Sequence, residues 1–250
     1  MKVLGPLSNP SLRLICFPHA GASASTYFRW RQRLRAENIE LASIQYPGRQ
    51  ERLNEPFALS LEIMADDLTN IWADISGNST FAIFGHSMGA SLAFEVSKKI
   101  VQRKLKNLPE VLILSGKNPP HIKDRSVFIG NLPDQEFLTK IELRYGLLPE
   151  EIKKDSEMLA MAIGVLRADV LLVEQYESVP ATRVSMPIPI SVFGGKKDER
   201  TDDSSLAAWQ DYCTTPIKLR IFEGDHFFHH SEEQCFLDAL IADIHEHLYK

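Results

Sequence analysis

Thr80-Phe81-Ala82-Ile83-Phe84-Gly85-His86-Ser87-Met88-Gly89 passes without a break from a short apolar run into Met88–Gln102, where apolar residues return at helical spacing. A strand that turns at once into a helix has no room for side chains beside the residue at its apex, so glycines flank it and one side chain is pushed out. Here that side chain is Ser87. The helix that follows brings its positive N-terminal end, with the Met88 N–H, towards any oxyanion formed nearby. Glycine-lined turns of this kind also occur without chemistry, and the partners available to Ser87 separate the two readings.

A serine hydroxyl is a poor nucleophile unless a base takes its proton and a carboxylate orients the base. After such a turn they follow in the chain order Ser, Asp, His. The run 188–193 leads into Gly194-Gly195-Lys196-Lys197-Asp198, and the run 217–222 leads into Glu223-Gly224-Asp225-His226. Asp198 and His226 are therefore expected in loops at the carboxyl ends of strands, where open α/β sheets gather their reactive groups. Asp202 and Asp203 are rivals for the acid, but they precede Ser204 as helix caps do. His229 and His230 lie nearer the next helix start and are expected at the surface. With Glu232 and Glu233 their spacing matches no zinc motif, so no metal is expected. A second oxyanion donor should come from the loop after the early strand, Phe17-Pro18-His19-Ala20-Gly21-Ala22. The Ala20 N–H is the candidate, paired with that of Met88.

Working outward, brief β-branched runs closed by Gly or Pro recur at 12–17, 39–46, 80–84, 111–114, 188–193 and 217–222. Helical patterns at 26–35, 60–75, 88–102, 204–212 and 232–248 lie between them. Strands this apolar are covered on both faces, so the alternation predicts an α/β domain with a mostly parallel central sheet and helices on both faces. The rhythm fails from about 121 to 186, where only helical patterns occur; two open at Pro133-Asp134 and Pro149-Glu150-Glu151, as helix N-termini do. This segment is expected to be a helical lid inserted within a single domain spanning 1–250. Together with the Ser87 turn, the pattern is that of an α/β-hydrolase fold. Side chains of the insertion such as Phe137, Ile141, Leu159 and Met161 are either its core or a pocket wall, and spacing does not distinguish the two.

A length of 250 residues suits one such domain, and 44% hydrophobic with 24% charged residues is ordinary for a globular protein. A net charge of −5 offers no positive field for nucleic acid. The N-terminus lacks a signal-peptide pattern and no apolar stretch reaches membrane-span length, so a cytoplasmic monomer with no membrane partner is expected. Cys16, Cys213 and Cys235 are odd in number and widely separated, and read as core residues.

Six segments in order across the chain resemble the stand-alone type II thioesterases of nonribosomal peptide and polyketide synthesis. They are Phe17-Pro18-His19-Ala20-Gly21, Tyr46-Pro47-Gly48-Arg49-Gln50-Glu51-Arg52, Gly85 to Gly89, Leu166-Arg167-Ala168-Asp169, Gly194-Gly195 with Asp198, and His226-Phe227-Phe228. The resemblance implies hydrolysis of acyl or aminoacyl thioesters from the phosphopantetheine arm of an acyl or peptidyl carrier protein, which clears misprimed carriers. Ser87 would accept the acyl group, His226 would shuttle the proton and Asp198 would hold the imidazole, with no cofactor. The lid would form part of the acyl pocket. Ala22 and Asp225 depart from the family, which often has Gly at both positions; Asp225 either perturbs His226 or faces solvent.

Other readings stay open at this stage. Arg49 and Arg52 tie down a loop or meet the phosphate of the arm. Lys98, Lys99, Arg103, Lys104 and Lys106 dock an acidic carrier or simply suit a helix C-terminus. A general esterase or acyltransferase on the same fold, and a non-catalytic binding protein, are the alternatives in function.

Overall fold

The computed structural model describes residues 1–77, 79–123, 127–146, 148–178 and 182–248. Among these, the strands are β1 (Lys2–Val3), β2 (Leu12–Phe17), β3 (Ile39–Ser43), β4 (Phe81–His86), β5 (Leu112–Ser115), β6 (Ile190–Gly195) and β7 (Lys218–Phe222). They form one sheet in the order β1-β3-β2-β4-β5-β6-β7; β1 is antiparallel to β3 and every other pairing is parallel.

Alternation along each strand divides the core in two, because successive side chains leave opposite faces. Leu12, Leu14 and Cys16 of β2, with Ala82 and Phe84 of β4, pack with Leu34 of α1 (Arg31–Ala36) and with Phe236 and Leu240 of α10 (Glu233–Leu248). Ile15 and Phe17, with Phe81 and Ile83, pack on the other face. There they join Met64 and Leu68 of α2 (Leu61–Asn70), Trp72 of α3 (Trp72–Ser76), and Leu92 and Val96 of α4 (Met88–Gln102). Helices cover both faces of a mostly parallel sheet, which is the α/β-hydrolase arrangement.

Local chemistry splits some of the expected helices. The pattern at 60–75 breaks at Ile71, which follows Thr69, whose hydroxyl bonds back to the Ala65 carbonyl at 2.6 Å and competes with the helix ladder. The pattern at 204–212 is a short α8 (Asp203–Ala207) followed by a 3-10 turn, Ala208–Tyr212. Asp202 caps α8, accepting the Ser205 N–H at 2.7 Å, which accounts for one rival of Asp198. A further turn, α9 (Phe228–Ser231), precedes α10.

Between β5 and β6 lie α5 (Asp134–Tyr145), α6 (Glu150–Lys154) and α7 (Ser156–Ser178), with Pro133 and Pro149 at the N-caps of the first two. Phe137 and Ile141 of α5 bury themselves against Ile129 and Val170, so they form the core of this insertion; Leu159 is half-buried and Met161 exposed. The sheet's switch point lies at β2, whose neighbours are β3 on one side and β4 on the other. Loops leaving β2 and β4 diverge there, opening a crevice at the carboxyl edge.

Candidate active site

Ser87 sits at the apex of the turn from β4 to α4 with φ 55° and ψ −118°, a backbone conformation that L-residues rarely adopt. Its own N–H donates to the Ser115 carbonyl of β5 at 2.8 Å, which pins the apex to the next strand. Glycine at 85 and 89 is enforced by contact: a Cβ on Gly85 would lie 2.2 Å from the Gly89 oxygen, and one on Gly89 would lie 2.0 Å from the Phe17 oxygen. Gly89→Ala must push α4 off the end of β2. We expect it to destabilise the fold by at least about 3 kcal/mol, read as a lowered denaturation midpoint with unchanged slope.

The loops after β6 and β7 bring the expected partners to this apex. His226 Nε2 lies 3.0 Å from Ser87 Oγ, and its Nδ1 lies 2.7 Å from Asp198 Oδ2. All three residues are buried, at 8%, 5% and 6% exposure for Ser87, His226 and Asp198, so the hydrogen-bond chain competes little with water. The Asp198 carboxylate also accepts the Arg200 N–H at 3.1 Å and the Thr201 hydroxyl at 3.3 Å, which orient it. Asp225 is exposed and accepts the Phe227 N–H at 2.8 Å, in keeping with a solvent-facing role.

Ala20 and Met88 meet beside Ser87 in a narrow cavity of about 30 Å³, bordered by Tyr145, Val170 and Val173 of the insertion. Neither the Ala20 nor the Met88 N–H has an acceptor among the described residues, so both are available to an incoming oxygen. A larger cleft of about 1870 Å³ runs between α5 and the loop after β6, with Asp198 and His226 on its wall and Tyr145 shared between the two spaces.

The Pro-Gly-Arg and Leu-Arg-Ala-Asp segments meet one another. Arg49 grips Asp169 through two bonds of 2.6 and 2.7 Å and also donates to the Ala22 carbonyl at 3.1 Å, while the Gly21 N–H donates to Asp169 at 2.8 Å. Arg52 donates to Glu55 and to the Gln45 carbonyl. Both arginines thus tie loops together by their forks of donors. Three of the five cations at and beyond the end of α4 are also engaged: Lys98 pairs with Glu95, Lys99 with Asp66, and Arg103 with Asp66 and Asn70.

A family model for the thioesterase domain matches residues 12–248. The chain belongs to the thioesterase domain family. It is a hydrolase of thioesters. Thioesterase PikA5 of Streptomyces venezuelae is 34% identical to it over 244 residues, which are 97% of this chain and 83% of that one. Among solved structures, the type II thioesterase BorB from the borrelidin biosynthetic cluster superposes with a TM-score of 0.83 at 29% identity, covering 99% of this chain and 96% of that one. YbtT, a type II thioesterase from the yersiniabactin NRPS/PKS pathway, gives 0.86 at 25% identity, covering 100% and 99%. The resemblance read from the six segments, to type II thioesterases of nonribosomal peptide and polyketide synthesis, is the one these relatives carry.

The sequence reading of this thioesterase missed several residues at the site. Tyr145 reaches in from α5, with its ring 5.4 Å from that of His226, and the Arg200 guanidinium stacks over it at 5.2 Å. Arg200 and Thr201 stand two and three residues past Asp198 and were open to notice there; Tyr145 had no local signal. His229 is corrected outright. It is fully buried, because α9 turns it inward to within 6.4 Å of Tyr27, 6.2 Å of Trp30 and 6.0 Å of Phe236, ring to ring. Cys235 is exposed, unlike Cys16 and Cys213. No helix among the described residues is long and apolar enough to cross a membrane.

Proposed function

We propose that this thioesterase removes acyl or aminoacyl groups from the phosphopantetheine arm of carrier proteins in nonribosomal peptide or polyketide synthesis, acting in the cytoplasm as a monomer and without a cofactor. The observation that carries the chemistry is the unbroken Ser87–His226–Asp198 hydrogen-bond chain at the carboxyl edge of the sheet. In this reading His226 takes the Ser87 proton at Nε2 as Oγ attacks the thioester carbonyl, and Asp198 stabilises the resulting imidazolium through Nδ1–H. The oxyanion accepts from the Ala20 and Met88 N–H groups. Collapse of the tetrahedral intermediate breaks the carbon–sulfur bond and His226 returns its proton to the thiolate, freeing the arm. Water, deprotonated by the same nitrogen, then releases the acid from Ser87.

The arm of the carrier is assigned to the larger cleft, since the space above Ser87 holds no more than about one water. Names of relatives support the carrier as the donor: YbtT belongs to an NRPS/PKS pathway and BorB to a biosynthetic cluster. The test is mass spectrometry of an acyl-loaded carrier protein after adding the enzyme. Loss of the acyl mass with the arm retained is expected, and faster turnover of simple lipid esters than of loaded carriers counts against the reading.

A further inference from the structure

Behind the reactive edge, His19, His229 and His230 each bring one ring nitrogen into a group whose three members all lie within 4.8 Å of one another. No spacing in the sequence announces this group, because His19 comes from the loop after β2 and the others from α9. We propose that His19, His229 and His230 form a site for a divalent transition-metal ion of the Zn²⁺, Co²⁺ and Ni²⁺ class. The inference is independent of the role given to Ser87.

His229 is fully buried, and neither of its ring nitrogens has a hydrogen-bond partner among the described residues. An orphaned polar group in such a place costs about 1–3 kcal/mol, so a partner from outside the chain is called for. His19 Nδ1 lies 3.0 Å from the Ala20 carbonyl and must donate to it, which leaves the Nε2 lone pair directed away from the backbone. That is the pattern by which metal-bound histidines are oriented. Burial holds His19 in its neutral form by lowering its pKa to about 4, and lowers those of His229 and His230 as well, so lone pairs are available at neutral pH. A water has two protons for three neighbouring lone pairs, whereas one cation can accept all three.

Imidazole is a preferred donor for these borderline ions. Nitrogens around a tetrahedral ion with bonds of ~2.0 Å stand ~3.3 Å apart, and rotation of the exposed His230 can close the remaining gap. Arg29, a cation that faces His230, is held by Glu233 at 3.0 Å. Solvent or a small ligand would take the fourth position.

The test is titration of the full, untagged, chelator-treated chain with Co²⁺, followed by visible absorption. One saturable equivalent with the d–d bands of a four-coordinate ion is expected, displaced by one equivalent of Zn²⁺. The surface change His230→Gln and the core change His229→Leu should each weaken binding by at least about 100-fold, beyond the loss typical of removing an outer-shell partner. Absence of saturable bands, or bands retained at wild-type affinity in His230→Gln, overturns the proposal, whether or not His229→Leu folds.

Discussion

Ser87→Ala is expected to lower the rate of carrier deacylation by about 10⁴- to 10⁶-fold while leaving the chain folded. Alanine removes the hydroxyl proposed to attack, yet keeps the strained backbone at φ 55° and the N–H bond to Ser115. Single-turnover release from a loaded carrier is the measurement, because it is blind to product dissociation. Adding His226→Ala to the same chain should cost nothing more, since a base without its nucleophile has no proton to take. Ser87→Gly offers an internal control: it should be as inactive as Ser87→Ala but more stable by about 1–3 kcal/mol, the strain of a non-glycine residue at this apex. A variant series in which activity survives Ser87→Ala would sink the assignment of the nucleophile.

Asp169→Ala should destabilise the fold by about 3–5 kcal/mol, the loss usual when one partner of a buried ion pair is removed. Arg49 and Asp169 are 6% and 1% exposed, so truncation leaves a guanidinium buried without its counter-charge. The Gly21 N–H loses its acceptor at the same stroke, and with it the hold on the loop that carries Ala20. Chemical unfolding measures the first effect. The second is read from kcat at a temperature where the variant stays folded, and a fall there with little change in KM marks a positioning role. The double change Arg49→Met with Asp169→Leu separates the two, because an apolar pair of similar volume restores stability without restoring the bond to Gly21. Recovery of full kcat in that double variant would show that the pair serves stability alone.

Residues whose chemistry depends on the chain immediately around them were legible in advance. Ser87 is bracketed by a strand, two glycines and a helix, and Asp198 and His226 each lie in the loop that follows a strand, so local pattern was enough to bring all three to one edge of the sheet. The parallel sheet followed from strands apolar on both faces. What escaped the reading depends on contacts made across the fold. Tyr145 reaches His226 only because the insertion folds back over the site, and the two-residue β1 is too short to show alternation. His229 looked like one of a polar pair beside Ser231, and only the turn of α9 directs it inward. Arg49 and Asp169, 120 positions apart, could be matched with a family segment each but not with one another.

β2 and β4 lie in register, Phe17 opposite Gly85, and the loops bearing Ala20 and Met88 begin just past that point. The two N–H donors are therefore carried on the loops of neighbouring strands, ~4.8 Å apart, and both are backbone atoms. With the oxyanion held as proposed, no side chain has to be kept for the oxygen end of the thioester to be recognised. Drift in the insertion, where Tyr145, Val170 and Val173 face the same space, can reshape what is accepted while the reaction stays as it is. For an engineer, this places selectivity and chemistry on separately exchangeable parts: the segment between β5 and β6 is the piece to transplant, and the sheet is the piece to leave alone.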